Sequence, residues 1–490
     1  MGYYAGFDVS TQQVKLVIIN ETGELIHSIA VNYESDLKTP LLRNKETGEV
    51  CQKHWTWTKA IESATKKLAE TGFDLTKIVA ISGAGQQHGS VYSNDSKIID
   101  DCPIWMDSST EKQCKIIESE FGRENLKKIT GSFAYNRFTG SQILKRRMLN
   151  KSRKQHAEFN KVQLVSNFCC SFLCDHNVPM DFADASGMNL FDLRTRELDE
   201  NLLKICEIDQ SFIQPPIKSD SIVGKCNKFG FKNADVIAFT GDNPSALVGC
   251  GACKPGDVVM SLGTSDTLFV YLDRLPNNLM STGEAHVFCN PVNEDHWMAL
   301  TCYRNGSLAR EQVRSECKKD ESEELYDWNE ISDILLAKKS EKLDNFSIDL
   351  FEREINPALG PDFHENRALG RSPIDVIIDC LVGQVIMRKV HMETLLGICP
   401  ERLILTGGAS ANKGLLQLIA NVFQCEVFTL VDSTEAAAIG GAVRANFSKT
   451  GVWLVPELVK TAVPVVELKS HYGEMQDVYK MLEKQWLGSI

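Results

Sequence analysis

The sequence predicts an α/β protein of two domains, and three observations carry that expectation. The chain of 490 residues is longer than a single hydrophobic core supports, so a division is expected. Apolar runs ending in glycine or a lone acid alternate with stretches of helical spacing, the order of an α/β architecture. One pattern, apolar strand, small residue, threonine, two polar residues and apolar strand, occurs twice. It is DVSTQQVKLVII (Asp8 to Ile19) and LGTSDTLFVYL (Leu262 to Leu272), which sets Ser10-Thr11 against Gly263-Thr264. Two ordinary hairpins would give this pattern. A duplicated domain would give it a purpose, each half supplying a turn of N–H groups and hydroxyls suited to phosphate.

Taken in order, the first thirty residues read as short strands and turns (YYAGFDV, VKLVIIN, ETGE, LIHSIAVNY). Trp57, Ile61, Ala64 and Leu68 are spaced as one apolar helix face that stops at Gly72. KIVAISGAG is a strand ending in glycines. In VIAFTGDNPSALVGCG, Val236 to Phe239 read as a buried strand, with Asn243 as N-cap and Pro244 as first residue of a helix. The boundary is placed at the end of that helix, giving domains 1–251 and 252–490 with no Pro/Ser-rich linker. SECKKDESEELYDWNEISD (Ser315 to Asp333) reads as a solvated helix or loop insertion. ERLILTGGAS runs from strand into glycine loop and NKGLLQLIANVFQ continues as a helix. CEVFTL and STEAAAIGGAVRAN repeat that order.

Composition narrows the function classes. With 43% hydrophobic and 24% charged residues the chain is ordinary globular protein. A net charge of −12 argues against a nucleic-acid partner, which needs a basic face. No uncharged apolar run reaches the ~18 residues of a membrane span. The N-terminus lacks a secretory signal, and Gly6 stands where a myristoylation pattern needs Ser or Thr. Sixteen scattered cysteines are therefore expected to be reduced, in the cytoplasm.

The candidate site residues stand at strand ends. Asp242 is a charge at the carboxyl end of a core strand, where open α/β sheets bind ligands. Asp8 follows the apolar YAGF and precedes a hydroxyl-rich turn. Alone it could cap that turn, but with Asp242 it could hold Mg²⁺ through water. SGAGQQHGS fails as a dinucleotide fingerprint, because its spacing is one residue too long and no helical pattern follows. Gln87 and His88 there are instead long polar groups suited to sugar hydroxyls, although a lone loop histidine is more often plain surface. In TGGASANKG, Gly407 and Gly408 permit close backbone approach to a nucleotide, or form a plain turn. Cys250 and Cys253 form a C-x-x-C without a second pair, and Cys169, Cys170 and Cys174 cluster. Packed thiols explain both better than a metal.

Together, GFDVSTQQVK, SGAGQQHGS, WMDSST, NRFTG, SGMNL, FTGDNP, SLGTSDT and TGGAS resemble, in order and over nearly the whole chain, the FGGY carbohydrate kinases. Within that family the chain is most similar to the eukaryotic branch acting on D-xylulose. The resemblance implies two actin/Hsp70-like (ribonuclease H-like) ATPase domains flanking a catalytic cleft, and transfer of phosphate from Mg-ATP to D-xylulose. It makes Asp242 the general base and assigns the ketose to His88, Arg137, Asp242 and Asn243. Asp8, Thr11, Gln12, Gly263 and Thr264 would lie along the phosphates, with Mg²⁺ near Asp8 and Asp242. Gly407, Gly408, Ala409 and Asn412 would border the adenosine, and Trp328 would flank the adenine.

Two positions depart from the family's pattern. Gln12 stands where a hydroxyl is common, so contacts there must come from an amide or the backbone. Gln142 stands where many members have lysine. The chemistry fits a kinase, because phosphoryl transfer asks mainly for positioning, charge stabilisation and a base at the hydroxyl. Sugar on one domain and nucleotide on the other imply closure on binding. Alternatives are a kinase for another pentulose or polyol (ribulokinase or glycerol kinase), an actin-like ATPase, or a non-catalytic sugar sensor. A monomer and a dimer both remain open.

Overall fold

The computed structural model describes residues 2–94, 97–99, 101–152, 159–276, 285–319, 324–361, 363–365, 370–430 and 435–488. Residues 320–323 of the Ser315–Asp333 stretch, and residues 433–434 at the start of STEAAAIGG, lie outside them. The chain forms two compact units. The first comprises Met1–Cys253, Val287–Met298 and Glu435–Pro456; the second comprises Lys254–His286, Ala299–Thr434 and Glu457–Ile490.

The first unit is built on a mixed sheet. Strands β1 (Tyr3–Val9), β2 (Gln13–Ile19) and β3 (Leu25–Asn32) form an antiparallel meander, followed by helix α1 (His54–Glu70) and strand β4 (Ile78–Gly85). Helices α2 (Val165–Cys174) and α3 (Phe182–Ala185) precede β5 (Ile222–Cys226), β6 (Ala234–Ile237), β7 (Thr240–Gly241) and helix α4 (Asp242–Gly249). The strand order is β5-β6-β4-β1-β2-β3, with β7 also pairing β4. β4 runs parallel to β1, β6 and β7. The apolar face of α1 is buried as its spacing predicts, with Trp57, Ile61, Ala64 and Leu68 packed into the core. The Trp57 indole N–H donates to Gln52 Oε1 at 2.8 Å, so its polar edge is satisfied.

The second unit repeats the plan. Strands β8 (Asp257–Leu262) and β9 (Asp266–Leu272) form the second hairpin, then come β10 (Trp297–Tyr303) and helices α5 (Ser307–Glu316), α6 (Trp328–Ala337) and α7 (Pro373–His391). Strand β11 (Arg402–Thr406), helix α8 (Lys413–Phe423) and strand β12 (Glu426–Leu430) follow. The order is β10-β9-β8-β11-β12, with β13 (Leu458–Ala462) at the far edge. Again the first hairpin strand, β8, runs parallel to a later strand, β11. The duplicated-domain reading of the two hairpins therefore holds at the level of topology, and each unit has the ribonuclease H-like plan of the actin/Hsp70 ATPases.

The second half of the sequence is not one continuous unit. Helix α9 (Ala436–Thr450) belongs to the first, where it lies backbone to backbone on β1, β4 and α4. A Cβ at Gly6 would fall 2.0 Å from the Ala438 carbonyl oxygen, and one at Gly249 would fall 1.8 Å from that of Ala436. None of the sixteen cysteines is joined to another by a disulfide. Among the described residues no helix is long and apolar enough to cross a membrane, and no group of three or more Cys, His, Asp or Glu could hold a metal.

Candidate active site

In the first unit the register sets the site. Asp8 on β1 pairs with Ala84 of β4, and Gly241 on β7 pairs with Gly85 of the same strand. Asp8 and the residue after Gly241, Asp242, thus flank the carboxyl end of β4, two strand spacings or roughly 10 Å apart at the backbone. The helix expected to begin after Asn243, at Pro244, begins two residues earlier, at Asp242. Gly241, in an extended conformation, is the N-cap, and Asp242 and Asn243 form the first turn of α4. Pro244 falls third, where a missing N–H still costs nothing.

This shift gives Asp242 its environment. Its Oδ1 accepts from the Asn243 backbone N–H at 2.9 Å, the Asn243 Nδ2 at 3.2 Å and the Gln87 N–H at 3.3 Å. Burial nevertheless raises its carboxyl to about 7, with the charge of Asp8 adding to the rise. Asp8 is raised as well, chiefly by burial, and its Oδ1 is buried without a hydrogen-bond partner.

The loop after β4 supplies the opposite wall. His88 has a φ of 69°, an uncommon left-handed conformation for a side-chain-bearing residue. Its Nδ1 lies 2.9 Å from the Gly187 carbonyl oxygen. A carbonyl only accepts, so Nδ1 carries the proton. Burial, with the nearby Arg137 charge, lowers the imidazole to about 3, so the ring is neutral and Nε2 presents a bare lone pair. Arg137 is half-buried against Tyr135 and Phe138, its guanidinium carbon 5.0 and 5.4 Å from those rings. Gln142 takes up local structure instead, donating to Asp107 Oδ1 at 2.8 Å and the Asn136 carbonyl at 3.1 Å.

The β1–β2 turn carries Thr11, whose hydroxyl donates to Gln86 Oε1 at 3.3 Å and accepts from the Trp105 indole at 2.8 Å. Gln12 has an exposed side chain, and its carbonyl accepts from the Tyr33 N–H at 2.9 Å. The carbonyl at position 12 is therefore already engaged, and the side chain reaches from solvent.

The second unit holds a separate cavity of about 750 Å³. Gly263, Thr264, Trp328, Gly408, Ala409 and Asn412 all line it. Gly407 does not line it but makes the turn possible. Its φ is 84°, and a Cβ would strike the Leu262 carbonyl oxygen at 2.5 Å. At Gly408 an added Cβ would meet no protein atom within 4 Å, so that glycine leaves space to the cavity. Asn412 is the N-cap of α8, accepting from the Leu415 N–H at 2.9 Å, and its Nδ2 donates to the Trp328 carbonyl at 3.2 Å. The Trp328 indole is pinned by Glu311 Oε1 at 2.6 Å.

Sequence reasoning missed what holds the second hairpin. Asp266, fully buried at the foot of the Gly263-Thr264 turn, takes a two-pronged ion pair from Arg310 at 2.9 and 3.0 Å and a third bond from Arg388 at 2.6 Å. A signal existed: Arg388 directly follows the apolar run Val385-Ile386-Met387 of α7, and a buried arginine needs a partner.

Comparison with known proteins gives the family. The N-terminal domain of the FGGY family of carbohydrate kinases matches residues 3–249, and the C-terminal domain matches residues 258–448. A mouse protein named xylulose kinase is 34% identical, covering 99% of this chain and 94% of its own. A rat xylulose kinase is 36% identical over 93% and 90%. Among solved structures, a kinase from Brucella ovis described as acting on "xyloylose" superposes with a TM-score of 0.85 at 19% identity over the whole of both chains. The Plasmodium falciparum glycerol kinase with ADP superposes at 0.81 with 17% identity, covering 99% of this chain and 98% of that one. These structures share the fold alone. The family domains span both halves of the sequence, and curated relatives exceed 30% identity over nearly all of it: the chain belongs to the FGGY family of carbohydrate kinases.

Proposed function

We propose that the chain transfers the γ-phosphate of ATP to D-xylulose, giving D-xylulose 5-phosphate. The observation that carries the reading is Asp242. It is a buried carboxyl poised near 7 at the end of the sheet, beside a neutral histidine whose free nitrogen can only accept. A sugar hydroxyl is a weak nucleophile, and a base whose pKa lies near the working pH takes its proton most effectively. Both hydrogens of Asn243 Nδ2 are engaged, by Gln87 Oε1 and Asp242 Oδ1, so Asn243 Oδ1, the His88 Nε2 lone pair and the Arg137 guanidinium offer two acceptors and one set of donors for the remaining hydroxyls and the carbonyl of a ketose. Curated relatives named xylulose kinase favour xylulose among possible ketoses, and one named probable D-xylulose kinase A favours the D form.

In the second unit, the Gly263-Thr264 turn would meet the phosphates, and Gly408, Ala409, Asn412 and Trp328 would border the nucleoside. In the first unit, Thr11 and Gln12 of the first hairpin would be the phosphate contacts. The residues also fit Mg²⁺: Asp8 has a buried oxygen without a partner, and its charge raises Asp242, a repulsion a cation would relieve. Asp8 and Asp242 would hold it through water, and when bound it offsets charge on the transferring phosphoryl group.

The test is ADP release with Mg-ATP and D-xylulose, D-ribulose, glycerol or no acceptor, with the product's phosphate position read by NMR. Release at least tenfold faster with D-xylulose, and phosphate on C5, is expected. Equal rates with glycerol or buffer would remove the substrate assignment.

A further inference from the structure

Behind the sugar wall lies a carboxyl group that the reaction as described leaves without a task. Asp184, on α3, is 1% exposed. It does not cap its helix, since Asp181 is the N-cap and accepts from the Asp184 N–H at 3.0 Å. Its Oδ2 is hydrogen-bonded to the Ser166 hydroxyl of α2. Its Oδ1 is buried without a well-formed partner, and so is Gln87 Nε2, the amide nitrogen that reaches toward it. The other charges that act on Asp184 are Asp181, Asp242 and Arg444 of α9. Arg444 spends its bonds on the Gly83, Ser219 and Ala238 carbonyls.

The orientation of Gln87 follows from its other contacts. Asn243 Nδ2 donates to Gln87 Oε1 at 2.7 Å, which fixes that end of the amide as the acceptor. Nε2 must then point away from Asn243, into a buried space where an unmet donor is costly. Asp184 Oδ1, itself unmatched, is the acceptor that Nε2 reaches toward. A Cβ at Gly241 would fall 2.4 Å from Gln87 Cγ, so the glycine leaves the side chain room for this one course. The same residue's backbone N–H donates to Asp242.

We propose that Asp184 is a positioning residue for the phosphoryl acceptor, holding the Gln87 amide so that Asn243 and Asp242 face the sugar in fixed orientation. The proposal rests on the reading of Asp242 and Asn243 as the sugar site. Without Asp184 the amide is free to turn over, which would set Nε2 against the Asn243 Nδ2 donor and release the side chain that reads the ketose.

A double-mutant cycle tests it, with Gln87→Ala, Asp184→Ala and the pair, each assayed for sugar and ATP kinetics in the full-length enzyme. Asp184→Ala should lower kcat/KM for D-xylulose about tenfold or more, leave the KM for ATP within about twofold, and cost nothing further in the Gln87→Ala background. Asp184→Asn, whose oxygen can still accept from Nε2, should recover most of the loss. Asp184→Ser, too short to reach Gln87, takes the place of Asp184→Ala if that variant does not fold, and is read in the same way. Additive losses in the pair, equal damage to both substrates, or an undamaged Asp184→Ala would each overturn the proposal. Asp242→Asn, run alongside, separates the two questions: full turnover there removes the base assignment, whatever the cycle gives.

Discussion

At the scale of the residue, a carboxylate carried to the end of a buried strand exchanges its hydration for whatever donors the protein supplies. Asp242 receives N–H groups from Gln87 and Asn243, yet its carboxyl still rises from 3.8 to about 7, first through burial and then through Asp8. The folded protein therefore holds a proton there that the unfolded chain releases. The stability this brings is full below 3.8 and is lost as the pH rises through about 7. That interval corresponds to at most ~4 kcal/mol. Asp242→Asn should thus melt at a higher temperature than wild type at pH 8, with the difference vanishing towards pH 4, while turnover falls roughly 10²-fold. In wild type, kcat/KM for the sugar should fall as the pH drops below about 7. Equal melting temperatures at pH 8, checked by calorimetry, would mean that the carboxylate is better solvated than its surroundings indicate. Asp242 was legible in the sequence because a lone acid after an apolar run is conspicuous. Asp184 was not, because its partners Ser166 and Gln87 lie 18 and nearly a hundred residues away and nothing local marks it.

At the scale of the element, each hairpin turn is a short piece of chain that must be held still if it is to bind phosphate as proposed. The β8–β9 turn is held from beneath: the Ser307 N–H at the start of α5 donates to the Gly263 carbonyl at 2.8 Å, and Asp266 ties the strand below to Arg310 and Arg388. Asp266→Asn leaves two buried guanidinium groups without their counter-charge, a loss of about 3–5 kcal/mol. Denaturant unfolding should show that loss, and the KM for ATP should rise in whatever fraction stays folded. A variant as stable as wild type would show that water or Gln384 can replace the carboxylate. The hairpins themselves were legible, because strand, tight turn and strand occupy a dozen contiguous residues. Their clamps were not, since an ion pair between residues 266 and 388 has no local pattern. The start of α4 shifted by two residues for a similar reason: Gly241 takes the cap because Gln87 packs against it, a contact outside the local sequence.

At the scale of the whole molecule, the chain leaves the first unit after Cys253 and returns to complete it with Glu435–Pro456. The sequence marked α9 as a helix but gave no sign of its destination, because alanines and glycines fit any close contact. The destination is decided by Gly6 and Gly249, which have no Cβ to hold it off. Residues 1–253 expressed alone should therefore aggregate, leaving β1 and α4 uncovered, whereas the same fragment joined through a flexible linker to residues 435–456 should be soluble and unfold cooperatively. Circular dichroism of the two fragments checks this, and a soluble, cooperatively folded 1–253 would show that α9 is dispensable. The same return sets a timetable for synthesis. The ribosome must make roughly 190 further residues after Gly249 before α9 emerges, which at ~5–20 residues per second takes roughly 10–40 s. For that time the first sheet stands in the cell with one face bare, so this enzyme's yield should depend on chaperones that shelter a nascent chain and on the pace of translation through its second half.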